Sequence, residues 1–284
     1  MAQIAATEAN AAIVERWRLV ALKALFSKMV IKNRILNVTE DVSQMGDIMH
    51  LKINPTPTVG DITAATGAFT AEAVTITNVD LTVNKWKYVA HDVVDVADVQ
   101  SDIDLVQNFS QAFVPALGEQ IEKDIFALWS SATSNAEVGD PNAGSVFSDD
   151  VILPSQLTLD DLKIEAENRS FFMPPAAKWQ LVKQDKFVDA SKLGIPKGVM
   201  TTGIMTELYG TPVYVSALAA TSGNMRKGLL MHRDGFMVGI QRNIKMEKFA
   251  RTQFSTPFAS SVLYGTAIAR NNHTQVINIK TALV

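Results

Sequence analysis

The chain has 284 residues, enough for one large domain or two smaller ones, and its 47% hydrophobic residues can supply a substantial core. Its formal net charge of −3 excludes a global basic field that would draw it to nucleic acid or to an anionic membrane. It contains no cysteine, which excludes disulfide frameworks, thiolate metal sites and cysteine nucleophiles.

The first predicted element is an amphipathic helix over residues 7–31, with Thr7 as its cap. Basic residues outnumber acidic ones from Glu8 to Arg34. This indicates either a solvated polar face or an arm that meets a partner or an anionic surface. Lys23 and Lys28 interrupt the richest apolar run, so no membrane span is predicted. The first residues lack a basic stretch followed by an apolar run, so no secretory signal is expected.

Residues 46–96 follow a different period. Met49, Leu51 and Ile53 alternate with polar residues, which predicts a half-buried strand. A tip rich in Gly, Thr, Ala and Pro follows, and then a β-branched and aromatic run over 74–88 that predicts a long second strand or a strand pair. Legs of ~10–15 residues would reach ~35–50 Å. Because an isolated hairpin is marginally stable in water, this one needs a neighbouring surface, such as another copy of the chain.

An acidic stretch leads into the next element. Its five carboxylates lack the spacing and the glycine of a calcium loop. A helix N-terminus favours nearby negative charge, so we interpret the stretch as the start of a helix and not as a metal site. The residues are Asp92, Asp95, Asp98, Asp102 and Asp104.

Residues 101–131 carry the clearest long helical pattern in the chain. Their apolar residues recur at spacings of three and four, which places them on one face and predicts a core helix. Pro115 lacks an N–H and Gly118 adds backbone freedom, so we expect a kink there. The stripe consists of Ile103, Val106, Phe109, Phe113, Leu117, Ile121, Ile125 and Leu128.

The remainder of the chain predicts a mixed α/β organisation. Turn composition over residues 130–150 predicts a polar loop, and Leu157 opens a short helix that ends near Arg169. Strands are predicted from short β-branched and apolar runs. These strands cover 212–216, 228–231, 236–240, 262–269 and 274–279.

Motifs that carry chemistry are missing from the sequence. It has no nucleophile elbow, no phosphate-binding Walker loop, no zinc-binding H-E-x-x-H and no dinucleotide fingerprint. The four histidines are scattered along the chain. We therefore predict no catalytic, cofactor-binding or metal-binding residues, although missing motifs do not exclude an enzyme.

Several short motifs also occur in a characteristic order. Trp-Lys-Tyr-Val-Ala leads towards the long helix, and an isoleucine–aspartate pattern lies late in it. A G-x-P-V strand, a strand with a following turn and a closing Y-G…R strand come afterwards. Their positions are 86–90, 121–125, 210–216, 230–236 and 264–270. This order resembles the major capsid proteins of tailed bacteriophages, which share the Hong Kong 97 fold.

The resemblance implies a mixed α+β fold with four parts. An N-terminal arm would take residues 1–36, and an extended β-hairpin loop would take 37–97. A peripheral domain with the long spine helix would hold 98–176 and 250–284. An α/β axial domain would hold 177–249.

The resemblance also implies a function, that of a major head protein and not of an enzyme. Copies would form the hexamers and pentamers of an icosahedral shell around double-stranded DNA, with weak non-specific DNA contact and no membrane. Because the arm begins directly at Met1, we expect a separate scaffold protein, together with a portal and, in some particles, a decoration protein. The chain would belong to the virion and assemble in the bacterial host cytoplasm. An encapsulin-like compartment shell, a tube-forming tail-type protein and an α/β hydrolytic enzyme are the alternatives.

Contacts between subunits are expected from the arm, the hairpin and the start of the following strand. A bend at Pro115 and Gly118 would let the spine helix follow the curvature of the shell. The expected contact residues are Trp17, Arg18, Lys52, Thr63, Phe69, Lys85 and Trp86.

Overall fold

A computed structural model describes residues 29–42, 48–62, 69–94, 105–184, 207–248 and 255–281. The α-helices of this part are α1 (Thr39–Val42), α2 (Leu105–Phe126), α3 (Asp149–Asp161) and α4 (Pro175–Val182). Its first strands are β1 (Leu36–Asn37), β2 (Ile48–Ile53), β3 (Thr77–Thr82), β4 (Lys85–Val94), β5 (Arg169–Met173) and β6 (Glu207–Leu208). The later strands are β7 (Thr211–Val215), β8 (Thr221–Ser222), β9 (Met225–His232), β10 (Phe236–Lys248), β11 (Ser255–Ile268) and β12 (Thr274–Lys280). No described helix is both long and apolar enough to cross a membrane.

The long helix α2 packs on a four-stranded sheet with the order β1-β10-β11-β4. β10 and β11 form an antiparallel pair whose register shifts between Ile240 and Lys245, which marks an irregularity in the ladder. Leu117, Ile121 and Ile125 of α2 are buried against this sheet in the largest hydrophobic cluster. The predicted core role of this face is confirmed for these residues.

A second sheet of six strands has the order β12-β9-β5-β7-β6, with β8 paired to β9. Its core cluster includes residues of the helices, such as Ile152 of α3 and Leu181 of α4. The sheet takes β5 and β12 from the predicted peripheral segments and β7 and β9 from the predicted axial segment. The four-part division of the chain stays a prediction.

The hairpin consists of β2 and β3, which pair in antiparallel register from Ile48 with Thr82 to Ile53 with Thr77. Its paired legs have six residues each and are shorter than the sequence predicts. The difference arises because residues 85–94 leave the hairpin as β4 and join β11 in the four-stranded sheet. The predicted strand pair over 74–88 therefore belongs to two different sheets.

Helix α2 runs from Leu105 to Phe126 with Pro115 inside it, and a 3₁₀ turn continues it to Ser131. The predicted start at Ser101 lies outside the described residues. Gly118 lies where a Cβ would come within 2.6 Å of the sulfur of Met29. Gly118 therefore provides room for the segment at Met29, a packing role that its sequence context does not indicate. The kink at Pro115 and Gly118 stays a prediction.

Placing alanine at position 118 tests this close approach. Alanine favours a helix over glycine by about 1 kcal/mol, whereas overpacking typically costs ~1–3 kcal/mol. We expect Gly118→Ala to lower the free energy of unfolding by about 1 kcal/mol, and to raise it by about 1 kcal/mol in a Met29→Ala background. Urea unfolding of the four proteins measures both effects. An equal effect of Gly118→Ala in both backgrounds would contradict the packing role.

The predicted helix from Leu157 to near Arg169 is wrong in its bounds. Helix α3 begins at Asp149, after Ser148 in extended conformation, and two aspartates in its first turn suit the helix dipole. It ends at Asp161, because Lys163 adopts a positive φ of 56°. Arg169 already begins β5. The polar composition before the helix had extended the predicted loop too far.

Candidate assembly surfaces

The part of the hairpin beyond its paired strands, residues 54–62 and 69–76, is called the hairpin tip. It has no regular secondary structure, and its apolar side chains point into solvent. Val59 is 96% exposed and Phe69 is 77% exposed. Ile62, Val74 and Ile76 are exposed as well. Several large apolar side chains exposed on one segment make the hairpin tip a candidate interaction surface.

The side chain of Glu72 bridges the two sides of the hairpin tip. The Oε2 atom of Glu72 accepts a hydrogen bond of 2.9 Å from the backbone N–H of Thr58. Its Oε1 atom accepts a second bond of 3.2 Å from the Thr58 hydroxyl. These bonds join the two sides of the tip.

A second exposed surface lies on β4, at the edge of the four-stranded sheet. Trp86 and Tyr88 alternate along the strand and are 68% and 74% exposed. Side chains two residues apart on a strand share a face, so the two aromatic rings form one patch. Such a patch on an edge strand is a candidate contact for another protein surface.

The sequence did not indicate further exposed apolar side chains on α3 and on α4. Leu153 and Leu157 are one helical turn apart on α3, and both are exposed. Trp179 of α4 is exposed as well and carries the ammonium of Lys178 at 5.1 Å from its ring centre. Leu153 was missed because the predicted helix was placed too late in the chain.

The predicted contact residues have different surroundings. Trp17, Arg18 and Thr63 lie outside the described residues. Lys52, Phe69 and Trp86 are exposed. Lys85 instead makes contacts within its own chain.

The ammonium of Lys85 joins the base of the hairpin to helix α2. It lies 3.2 Å from Oδ2 of Asp124 and donates a hydrogen bond of 2.9 Å to the hydroxyl of Thr266. The same Asp124 oxygen accepts a bond of 2.7 Å from the Tyr264 hydroxyl, and Gln120 donates to its other oxygen. Burial, and then Asp124, raise the pKa of the Tyr264 phenol far above its usual value. The phenol therefore stays a hydrogen-bond donor at physiological pH.

The segment that follows the first 28 residues donates several backbone hydrogen bonds to one carboxylate of helix α2. Oε1 of Glu122 accepts hydrogen bonds of 2.8 Å from the backbone N–H groups of Val30 and Ile31. Oε2 lies 3.4 Å from the N–H of Lys32. Glu122 and Ile31 are both fully buried. We call this contact the arm anchor.

The arm anchor predicts a pH dependence. Burial raises the pKa of the Glu122 carboxyl, although the three N–H groups and Lys32 oppose this. A raised pKa means that the folded protein holds this proton more tightly than the unfolded chain. The contribution to stability is therefore complete below the unfolded pKa and is lost as pH rises through the folded pKa.

We accordingly expect the stability of the unsubstituted chain, relative to that of Glu122→Gln, to increase as the pH is lowered from neutral. Urea unfolding of both proteins at a series of pH values measures this difference, since the other carboxyl groups are common to both. A difference that grows as the pH rises would show that the N–H groups dominate over burial.

Nothing in the described part of the chain assembles a metal site, since no three histidine, aspartate or glutamate side chains lie close enough together to hold an ion. No protein family model matches the sequence, and no curated protein matches it. Similarity is therefore found at the level of structure.

A solved structure from Mycobacterium phage Che8 superposes with a TM-score of 0.80 at 21% identity, over 93% of this chain and 96% of that one. The capsid of the Cyanophage P-SCSP1u gives a TM-score of 0.77 at 12% identity, over 96% and 94%. The mature capsid of bacteriophage PhiM1 gives 0.72 at 12% identity, over 95% and 93%. The chain has a phage capsid fold.

The capsid fold extends over nearly the whole chain, which confirms the expected α+β class and the resemblance stated from the short motifs. Helix α2 is the long helix to which the resemblance gives the role of a spine. In this fold the hairpin tip, the β4 aromatic patch and the arm anchor belong to one subunit.

Proposed function

We propose that this protein is a major capsid protein whose copies assemble into an icosahedral shell around double-stranded DNA. The observation that carries the proposal is the exposed apolar hairpin tip on a chain with a phage capsid fold. In a subunit that acts alone, the exposed side chains of Val59 and Phe69 contribute no hydrophobic stabilisation. A subunit that covers its neighbour would bury them.

The energetics of the hairpin tip support repeated association. Burying a large apolar side chain contributes ~1.5–3 kcal/mol, so a few such residues offset much of the entropy lost in one contact. In a closed shell every subunit both gives and receives the contact. Many modest contacts then act together to hold each subunit in place.

We further propose the four-part division into an arm (1–36), a loop (37–97), a peripheral domain (98–176 and 250–284) and an axial domain (177–249). Hexamers and pentamers of the chain would build the shell, with a separate scaffold protein, a portal and, in some particles, a decoration protein. The subunit would assemble in the bacterial cytoplasm and remain in the virion. Its net charge of −3 suits weak, non-specific contact with packaged DNA, because strong basic charge would hold the phosphates.

Expression with and without a co-expressed scaffold candidate tests this function. We expect closed spheres in negative-stain electron microscopy and rapidly sedimenting particles. DNA in particles from infected cells supports a phage shell, whereas a co-purifying enzyme would indicate a compartment shell. A stable monomer under both conditions, or the formation of open tubes, would overturn the proposal.

A further inference from the structure

A polar cleft of about 420 Å³ opens where β5 begins and β9 ends. Its walls come from separate parts of the chain: the 3₁₀ turn Lys32–Arg34, the loop before β5, the turn between β6 and β7, and the residue after β9. Three arginines line it, Arg34, Arg169 and Arg233, against one acidic residue, Glu167. We call it the arginine cleft. It concentrates positive charge on a chain whose formal net charge is −3.

The first arginine, Arg34, is positioned by two contacts. Its backbone N–H donates a bond of 2.9 Å to the carbonyl of Ile31, a residue that the arm anchor holds on helix α2. Its guanidinium lies over the ring of Tyr214, with Cζ 4.9 Å from the ring centre. A guanidinium stacked in this way keeps the N–H groups in its own plane available for an anion.

The second arginine, Arg233, is positioned through its backbone. Its N–H donates a bond of 3.1 Å to the carbonyl of Asn168, which joins the end of β9 to the loop before β5. The side chains of Arg34 and Arg233 are both exposed. Among the described residues, neither of them forms an ion pair with a carboxylate. Both guanidinium groups therefore have donors to offer to a ligand.

The third arginine, Arg169, is fixed in the wall of the arginine cleft and is only 2% exposed. Its Nη1 atom lies 2.7 Å from Oδ1 of Asp160 and 3.4 Å from Oε1 of Gln156. Its Nε and Nη2 atoms donate to the carbonyls of Glu165 and Ile164. These contacts use four of the five N–H groups of a guanidinium. Within the described part of the chain, one N–H on Nη2 is left for a further acceptor.

The arrangement of the donors favours a phosphate over a carboxylate. A carboxylate presents two oxygens in one plane, which a single bidentate arginine can satisfy. A phosphate presents its oxygens in tetrahedral directions and so accepts hydrogen bonds from several sides at once. The arginine cleft offers arginines from three separate segments, and Asn33 and Asn168 add amide side chains to its lining.

We propose that the arginine cleft binds a phosphate group, with Arg34 and Arg233 as its ion-pairing partners and Arg169 as a fixed donor. The same chemistry recognises inorganic phosphate and the phosphodiester of a DNA strand. Binding needs only the folded subunit. The inference therefore does not rest on the proposed shell function, and failure of one leaves the other standing.

Calorimetric titration of the full-length protein with inorganic phosphate, at physiological ionic strength, tests the site. We expect one saturable site per subunit. The unfolding temperature should rise with phosphate concentration, because a ligand that binds only the folded state stabilises it. Acetate serves as the carboxylate probe and should bind ~10-fold more weakly or worse. Absence of saturable phosphate binding, or equal binding of acetate, would overturn the proposal.

Arg34→Gln and Arg233→Gln each remove one charge and one pair of parallel donors. Each should weaken phosphate binding ~10–100-fold, as expected for hydrogen bonds to a charged group. Arg233→Lys keeps the charge without the fork and should also bind more weakly. Thermal unfolding without phosphate verifies that these exposed substitutions leave the fold intact.

Lys87→Gln is the matched control, because it removes one positive charge from an exposed residue of β4 that does not line the arginine cleft. Its phosphate binding should equal that of the unsubstituted protein. A loss as large as that in the two arginine variants would show that binding follows net charge alone, and would overturn the site.

A short DNA duplex distinguishes the two sources of phosphate. Displacement of inorganic phosphate by the duplex, weakened by the same two substitutions, supports the site with a phosphodiester as its ligand. A duplex that does not compete supports the site with free phosphate as its ligand. An acidic peptide that displaces phosphate at equal concentration would overturn the selectivity for phosphate.

Discussion

Replacing both Val59 and Phe69 by aspartate is expected to prevent the formation of closed particles, whereas the subunit should fold as before. The two side chains are 96% and 77% exposed, so few contacts within the chain are lost and stability changes by no more than ~0.5 kcal/mol. In a shell each would be buried, and each burial contributes ~1.5–3 kcal/mol. Losing both weakens each subunit contact about 100-fold or more.

Thr75→Asp is the matched control, because it adds charge to the same hairpin tip at an exposed polar residue. Sedimentation velocity and negative-stain microscopy measure assembly, and thermal unfolding measures the fold. We expect the control to assemble and the double variant to remain as free subunits or small oligomers. Normal yields of closed particles from the double variant would show that the hairpin tip is not the contact between subunits.

Glu122→Ala should lower the free energy of unfolding by roughly 3 kcal/mol, since removing a buried acceptor leaves its donors without partners at ~1–3 kcal/mol each. Three backbone N–H groups lose this acceptor at once, and the one of Ile31 is fully buried. The fixed position of Met29 against Gly118 depends on the same segment. Removing the carboxylate should therefore loosen the whole segment from Met29 to Lys32 on helix α2.

Urea unfolding compares this variant with Glu122→Gln and Lys123→Ala. Glutamine retains one oxygen for the N–H groups of Val30 and Ile31. Glu122→Gln should therefore lower the free energy of unfolding much less than Glu122→Ala does. Lys123 is exposed on the same helix and reports the cost of an ordinary surface substitution. An equal effect of all three substitutions would mean that the carboxylate does not hold the segment.

Hydrophobic periodicity in the sequence was sufficient to predict elements that bury one face. The α2 stripe followed from spacing because it buries apolar residues on one face. The late strands, such as the one at Gly228, followed from short apolar runs, since β9 is buried along nearly its whole length. The hairpin was predicted but its second leg was too long, because alternation in residues 85–94 is the same whether β4 pairs with β3 or β11. Alternation identifies a strand but not its partner.

The polar contacts could not be predicted because their members are far apart in the chain. Glu122 looks like an ordinary polar residue of a helix until the backbone of Ile31, 91 residues earlier, lies against it. Lys85 and Thr266 are 181 residues apart and match no motif. Only the tertiary fold brings such groups within hydrogen-bond distance.

The pairing of β4 with β11 has a mechanical consequence. Ten consecutive cross-strand pairs connect these strands, and the hairpin joins β4 through the short link at Val83. A pull on the hairpin along the direction of β4 loads all ten pairs in shear, so that they must break together. A pull across the strand would peel them apart one by one. A shell under pressure from within would resist rupture best if its loops are pulled along their strands.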